Sequence, residues 1–374
     1  MRILFAPDKF KGSLTAPEAA ALMASGWRRA WPECRTDLHP VADGGDGTLE
    51  VVQAVSRATR HTGAARDARG RKINAAWLWD GESATAWIES ALVCGLAPLA
   101  PGDRHPLTAT TAGLGDLLRD AMRSGARRVI LCLGGSATND AGCGMAAAAG
   151  WRFLEVEGRE FDPRPAHLLQ LAHIRPPAAR PAAEIIALAD VRNPLLGPHG
   201  ASRTYGPQKG ASPADVERLE SALAHLAEVA RRDLDAPDPS TPGAGAAGGL
   251  GYGVMTFFGG RIESGFDTIA DLTGLADAIA AADLVVTGEG RLDVQTAAGK
   301  APAGVARLAR AAGKPVIALA GSVPLTKGEP SGFDAVVSAT PETMGLEHAM
   351  LHAGPLLEEA AARTARRLRH GNLL

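Results

Sequence analysis

Residues 282–290 read ADLVVTGEG, a short apolar run that empties into two glycines bracketing a glutamate. The run is bounded by turn residues and too short for a helix, so it reads as a buried strand. The same design returns at 314–321, KPVIALAG, and at 334–340, DAVVSAT. Helical spacing fills the intervals, from about 299 to 312 and from about 345 to 370. Strands that alternate with helices predict a parallel sheet with right-handed crossovers. In such sheets ligands bind outside the carboxyl ends of the strands. The TGEG loop is therefore expected to face a cleft.

Working outward, the same pattern appears at the start of the chain. Residues 2–7, RILFAP, read as a strand, followed by the loop DKFKGSLT. Thr15 with Glu18 three residues later makes a capping box, and Pro17 suits a first turn. Ala20, Met23, Trp27 and Ala30 then follow at helical spacing, which predicts a helix over 16–31. RTDLHPVAD leads a second strand into VADGGDGTLE (41–50), and a helix is expected over 48–58. The region 59–93 is β-like, with a hairpin at DARGRKINAAWLWDG. Thr110 or Thr111 can cap a helix that stops at Ser124-Gly125. RRVILCL (127–133) and EIIALAD (184–190) read as buried strands, and GGSATNDAG leads a small-residue helix to Gly150. Residues 213–232 read as helical, and the Pro/Gly-rich 235–253 as a linker or ligand loop. No repeat of fixed period is present.

At 374 residues the chain favours two domains, with three as the alternative. With 46% hydrophobic and 21% charged residues it should form packed cores. A net charge of −2 argues against nucleic acid or an anionic membrane as the main partner. MRILFAPDKF has no apolar h-region, and no run approaches a membrane span. Four distant cysteines without a CxxC fit reduced thiols, so a cytoplasmic protein is expected. Of 39 basic residues only 7 are lysines, and five of these (Lys11, Lys209, Lys300, Lys314, Lys327) adjoin a glycine. A lysine in a glycine-rich loop can act as a point charge on phosphate.

The loops carry chemistry of one kind. In VADGGDG, Asp43 and Asp46 stand among three glycines. Paired carboxylates repel unless a cation or a shared proton relieves them. LGGSATNDAG (133–142) offers backbone N–H groups suited to phosphate, with Asn139 or Asp140 capping the helix that follows. In ADVRNPLLG, Asp190 and Asn193 are an oxygen set for Mg²⁺, or Asp190 is a base. TGEGRLDVQT adds Glu289, Arg291 and Asp293, which could hold Mg²⁺ or substrate. The GxGxxG at Gly243, Gly245 and Gly248 follows a Pro-rich loop rather than a strand, so it is no dinucleotide fingerprint. There is no Walker A loop and no hydrolase triad spacing. His348 and His352 have no partnering motif and read as surface residues.

Taken together, APDKFKGSLTAPEAA, VADGGDGTLE, LGGSATNDAGCGMAAAAG, DVRNPLLG, YGPQKGA and TGEGRLDVQTAAGKAP, in this order, resemble the bacterial type I glycerate kinase family. The resemblance implies an α/β protein of two domains. A flavodoxin-like parallel-sheet domain (1–62 and 281–374) would carry an inserted mixed α/β domain (63–280). It implies ATP-dependent phosphorylation of D-glycerate with Mg²⁺, at the 2-hydroxyl, with a 3-phosphate product as the alternative. The implied partner is the small-molecule substrate, and the implied state a monomer or homodimer. Under this reading Gly134, Gly135, Ser136, Asn139, Gly245, Gly248, Gly249, Gly288 and Glu289 would bind the nucleotide. Lys9 or Lys11 would meet the γ-phosphate or the glycerate carboxylate. Asp43 and Asp46 would bind Mg²⁺ or the glycerate hydroxyls, with Gly44 and Gly45 leaving room and Ser13 beside them. Asp190 would be base or Mg²⁺ ligand, with Asn193 and Asp293 as further ligands. A kinase of another small hydroxy acid, or a non-enzymatic two-domain anion-binding protein, are the rival expectations.

Overall fold

The computed structural model describes residues 1–179, 182–292, 300–323 and 332–371. The chain divides into two compact units: Met1–Asp43, Glu50–Val55 and Gly265–Leu374, and Gly44–Leu49 with Ser56–Ser264. The strands in chain order are β1 (Arg2–Phe5), β2 (Arg35–Leu38), β3 (Thr59–Arg66), β4 (Lys72–Asp80), β5 (Thr85–Glu89), β6 (Arg128–Cys132), β7 (Arg152–Leu154), β8 (His173–Arg175), β9 (Glu184–Leu188), β10 (Arg261–Glu263), β11 (Leu284–Thr287), β12 (Val316–Ala320) and β13 (Ala335–Ser338).

The first unit is built on the sheet β13-β12-β11-β1-β2, with every neighbouring pair parallel. Counted within the unit, this is the order 2-1-3-4-5 of flavodoxin-like sheets. Alternate residues of each strand feed opposite faces. Ile3, Phe5, Leu284 and Val286 pack with helices Ala16–Ala30 and Ala353–Arg369. Leu4, Val285 and Val316 pack with helices Gly265–Thr273, Leu275–Ala280 and Ala301–Ala311. The Thr15–Glu18 capping box forms as the spacing predicts. The two helices on the first face cross closely at Gly26. A Cβ there would lie 2.0 Å from the Glu358 carbonyl oxygen. The expected single helix over 345–370 is two, Leu346–Leu351 and Ala353–Arg369. Pro355 lacks the N–H that would bond the preceding turn. His348 and His352 are exposed, with their ring centroids 4.3 Å apart and their planes tilted by 53°.

The second unit carries the mixed sheet β10-β9-β6-β5-β4-β3 and the antiparallel pair β7-β8. The β3–β4 hairpin turns at Asp67, whose Oδ1 accepts the N–H groups of Arg69 and Arg71. One core lies between the sheet and helices Ala112–Arg123 and Ala246–Phe258. A second gathers Trp151, Phe153 and Phe257 edge-on with the long helix Pro213–Leu234.

The helix Ala246–Phe258 corrects the sequence reading of 235–253 as linker or loop. Its first turn is not helical: Ala247, Gly248 and Gly249 all have positive φ. Beyond that kink Leu250, Tyr252, Val254 and Phe257 are buried. Packing of these side chains overrides a glycine content that disfavours helix. All four cysteines are buried and none is disulfide-bonded. No helix among the described residues is long and apolar enough to cross a membrane.

Candidate active site

In a 2-1-3-4-5 sheet the crevice opens where the chain order reverses, between the first and third strands. Here those strands are β1 and β11, and their carboxyl ends carry the charges of the first unit. The backbone ties them: Asp8 N donates to Gly288 O at 2.8 Å, and the Thr287 hydroxyl donates to Ala6 O at 2.7 Å. Gly288 and Gly290 are needed for close approach. A Cβ on Gly288 would lie 1.8 Å from Leu319 O, and one on Gly290 3.2 Å from Lys11 N. The Glu289 carbonyl accepts the Gly321 N–H, which pins that residue to the end of β12.

Three carboxylates and two ammonium groups meet here. The Lys9 ammonium lies 3.9 Å from Asp8 Oδ1 and 3.7 Å from Asp43 Oδ1. The Lys300 ammonium lies 3.5 Å from Glu289 Oε2. Asp8 and Glu289 are buried, at 4% and 7% exposure. Burial, opposed by Lys9 and helped by the Asp43 and Glu289 charges, pushes the Asp8 carboxyl up to about 7. Asp8 Oδ1 accepts the Lys9 N–H at 2.7 Å. Among the described residues no hydrogen bond reaches Oδ2. Ser13 is taken up locally, donating to Phe10 O at 2.9 Å, and Lys11 is exposed. Asp8 was not singled out in the sequence. Its signals were its place in the loop after an apolar strand and within APDKFKGSLTAPEAA, neither of which shows that the carboxyl is buried.

The second unit joins two glycine loops. A Cβ on Gly134 would lie 2.7 Å from the Gly45 Cα, so only a glycine fits there. The Asp46 carboxylate lies 3.7 Å from where a Gly135 Cβ would stand. The start of helix Thr48–Val55 is closed by the Thr48 hydroxyl on Gly45 O and by buried Glu89 on the Leu49 N–H. Asp43 and Asp46, a pair in the sequence, thus fall in different units and face different groups.

The turn 134–140 is rich in unspent donors. The N–H groups of Gly135, Ser136, Thr138 and Asn139 make no hydrogen bond to any described residue, although Ser136, Thr138 and Asn139 are buried. Buried N–H groups are nearly always paired, so a turn that keeps four open is shaped for an acceptor. Capping falls to Asp140, whose carboxylate accepts from Thr111 N, the Thr111 hydroxyl, Gly142 N and Gly144 N. Burial raises the Asp140 carboxyl despite those donors. The Asn139 amide donates to the Ser202 hydroxyl at 3.0 Å, while its buried Oδ1 has no hydrogen-bond partner among the described residues. Gly245, Gly248 and Gly249 pack on backbone: their Cβ atoms would meet Pro194 O at 2.2 Å, Thr138 O at 2.0 Å and the Ala141 Cα at 3.0 Å.

At the end of β9, Asp190 Oδ1 accepts the Ser264 hydroxyl at 2.9 Å. Asn193 spends its amide on the loop: Nδ2 donates to His199 O and Oδ1 accepts the Tyr205 hydroxyl. Asp293 lies outside the described residues. Among the described residues no three His, Cys, Asp or Glu side chains converge as a metal site.

Comparison with known proteins points the same way. The profile of the Glycerate kinase family matches residues 3–369. The chain belongs to the glycerate kinase family. It is 40% identical over 370 residues to the glycerate kinase of Halalkalibacterium halodurans, covering 97% of each chain. It is 40% identical over 343 residues to the glycerate 2-kinase of Escherichia coli K12, covering 90% of each. A crystal structure of a protein assigned as glycerate kinase 2 from Salmonella typhimurium LT2 superimposes with a TM-score of 0.83 at 38% identity over 100% of both chains. As a glycerate kinase family member the chain is an enzyme, a phosphotransferase.

Proposed function

We propose that this enzyme transfers the γ-phosphoryl group of ATP to the 2-hydroxyl of D-glycerate, giving 2-phosphoglycerate and ADP. The observation that carries this is the buried Asp8 at the crevice between β1 and β11, with an open Oδ2 and a carboxyl raised to about 7. A general base works best when its pKa lies near the working pH. Asp8 takes the proton of the 2-hydroxyl as that oxygen bonds to phosphorus, and the bond from phosphorus to the ADP oxygen breaks. Lys9 and Lys300 balance the carboxylates around it, and exposed Lys11 offers a cation to the glycerate carboxylate. Phosphoryl transfer needs positioning and charge neutralisation more than covalent help.

The open N–H groups of the 134–140 turn are assigned to the nucleotide phosphates. Gly245, Gly248 and Gly249 are assigned to packing that supports this turn. Mg²⁺ is a hard cation that keeps several waters and commonly takes one or two carboxylates plus substrate phosphates. Asp190, a half-buried carboxylate just past the end of β9, is an oxygen ligand of that kind. Asn193 is a weaker candidate, because its Oδ1 already accepts the Tyr205 hydroxyl and its Nδ2 is tied to His199 O. When bound, the ion supplies positive charge to the phosphates.

ATP turnover with substrate analogues tests the position of attack. D-lactate keeps the 2-hydroxyl and lacks the 3-hydroxyl, whereas 3-hydroxypropionate is the reverse. Slow turnover of D-lactate and none of 3-hydroxypropionate is expected. The opposite pattern overturns the regiochemistry, and no ATP consumption with D-glycerate overturns the reaction.

A further inference from the structure

YGPQKGA contains a lysine that the chemistry above leaves unused. Lys209 is 3% exposed and lies in the second unit. Its ammonium donates to Thr138 O at 2.7 Å and to the Ser136 hydroxyl oxygen at 3.2 Å. A buried ammonium is costly, and burial lowers this one to about 8, with Asp140 among the groups that oppose the shift. Such a cost is expected at a functional position rather than in an ordinary loop.

Geometry says what the lysine achieves. In a trans peptide the C=O and N–H point in opposite directions. With Lys209 on the Thr138 carbonyl, the Asn139 N–H of the same peptide points away from Lys209. That N–H has no acceptor among the described residues. The Ser136 oxygen, once it accepts from Lys209, keeps its own proton to donate elsewhere. A cation on the carbonyl also polarises the peptide, which strengthens the N–H as a donor.

We infer that Lys209 is a positioning residue for the phosphoryl donor, fixing the Thr138–Asn139 peptide and the Ser136 hydroxyl as donors to a nucleotide phosphate without touching the nucleotide itself. This rests on the assignment of the 134–140 turn to the nucleotide. Replacement of Lys209 by Met keeps the stem and removes the charge. Calorimetric titration with ADP should then show affinity at least tenfold weaker than wild type, and KM for ATP should rise in step. KM for D-glycerate should stay within about twofold, because a hydrogen bond to a charged group acts locally. Lys209→Arg should recover part of the ADP affinity. A purely structural lysine would instead lower the melting temperature and disturb both substrates alike. Unchanged ADP affinity in a folded Lys209→Met protein overturns the inference.

Amide NMR on the wild-type chain keeps the test open if the variant does not fold. The Asn139 amide should shift on addition of ADP. An Asn139 amide that stays fixed while other residues of the turn respond counts against Lys209. Failure of wild type to bind ADP with any residue of the turn overturns the nucleotide assignment itself.

Discussion

Asp8 is the residue on which the chemistry turns, and its proton makes a prediction of definite sign. The folded chain holds that proton up to about 7, against an ordinary value of 3.8. Between those values the folded state binds a proton that the unfolded state has released. Stability from this group therefore falls as pH rises from about 4 to about 7, and the cost persists above. Asp8→Asn removes the cost, so it should stabilise the protein at pH 7.5 by about 1–3 kcal/mol while lowering turnover by roughly 10²–10⁴-fold. Melts at pH 4 and pH 7.5, alongside kcat, check both halves, and the gain should vanish at the lower pH. A variant that loses stability as well as activity would make Asp8 a plain structural acid. In the wild type kcat/KM should fall on the acid side of about 7, far above an ordinary carboxyl. Asp43 and Glu289 were legible as charges beside glycines, and Lys9 as a lysine in the loop after the first strand. Asp8 was not, because residue type does not reveal burial, and burial gives the carboxyl its character.

At the scale of elements, glycine shows where packing outweighs local preference. Gly26 sits inside helix Ala16–Ala30, where alanine is ordinarily better by up to about 1 kcal/mol. Here a Cβ would stand 2.0 Å from the Glu358 carbonyl oxygen, which is backbone and cannot turn aside. Gly26→Ala should therefore destabilise by about 1–3 kcal/mol in thermal or urea unfolding, with KM values unchanged. A variant as stable as wild type would show that the two helices part at little cost. The parallel strands 284–287, 316–320 and 335–338 were readable because each is an apolar run bounded by turn residues. Helix Ala246–Phe258 was not. Its glycines serve the backbone of residues distant in sequence, such as Thr138, and that use leaves no local periodicity. The facing of Gly134 on Gly45 was hidden for the same reason: each glycine was legible, but not its partner.

On the scale of the whole molecule, two units each bring one kind of chemistry. The first offers a strand-end crevice with a raised acid and balancing lysines. The second offers a turn of open N–H groups held by a buried lysine. The α/β class and the run of loops at strand ends could be read from the sequence, since each loop follows an apolar strand. The passage of the chain between units at 43/44, 49/50, 55/56 and 264/265 could not, because it depends on which residues pack together. The measurement that tests the central claim most directly is ³¹P NMR of the purified protein with D-glycerate, ATP and Mg²⁺. A growing resonance of 2-phosphoglycerate matched by ADP is the predicted result. A 3-phosphoglycerate resonance, or ATP left intact beside D-glycerate, would contradict it.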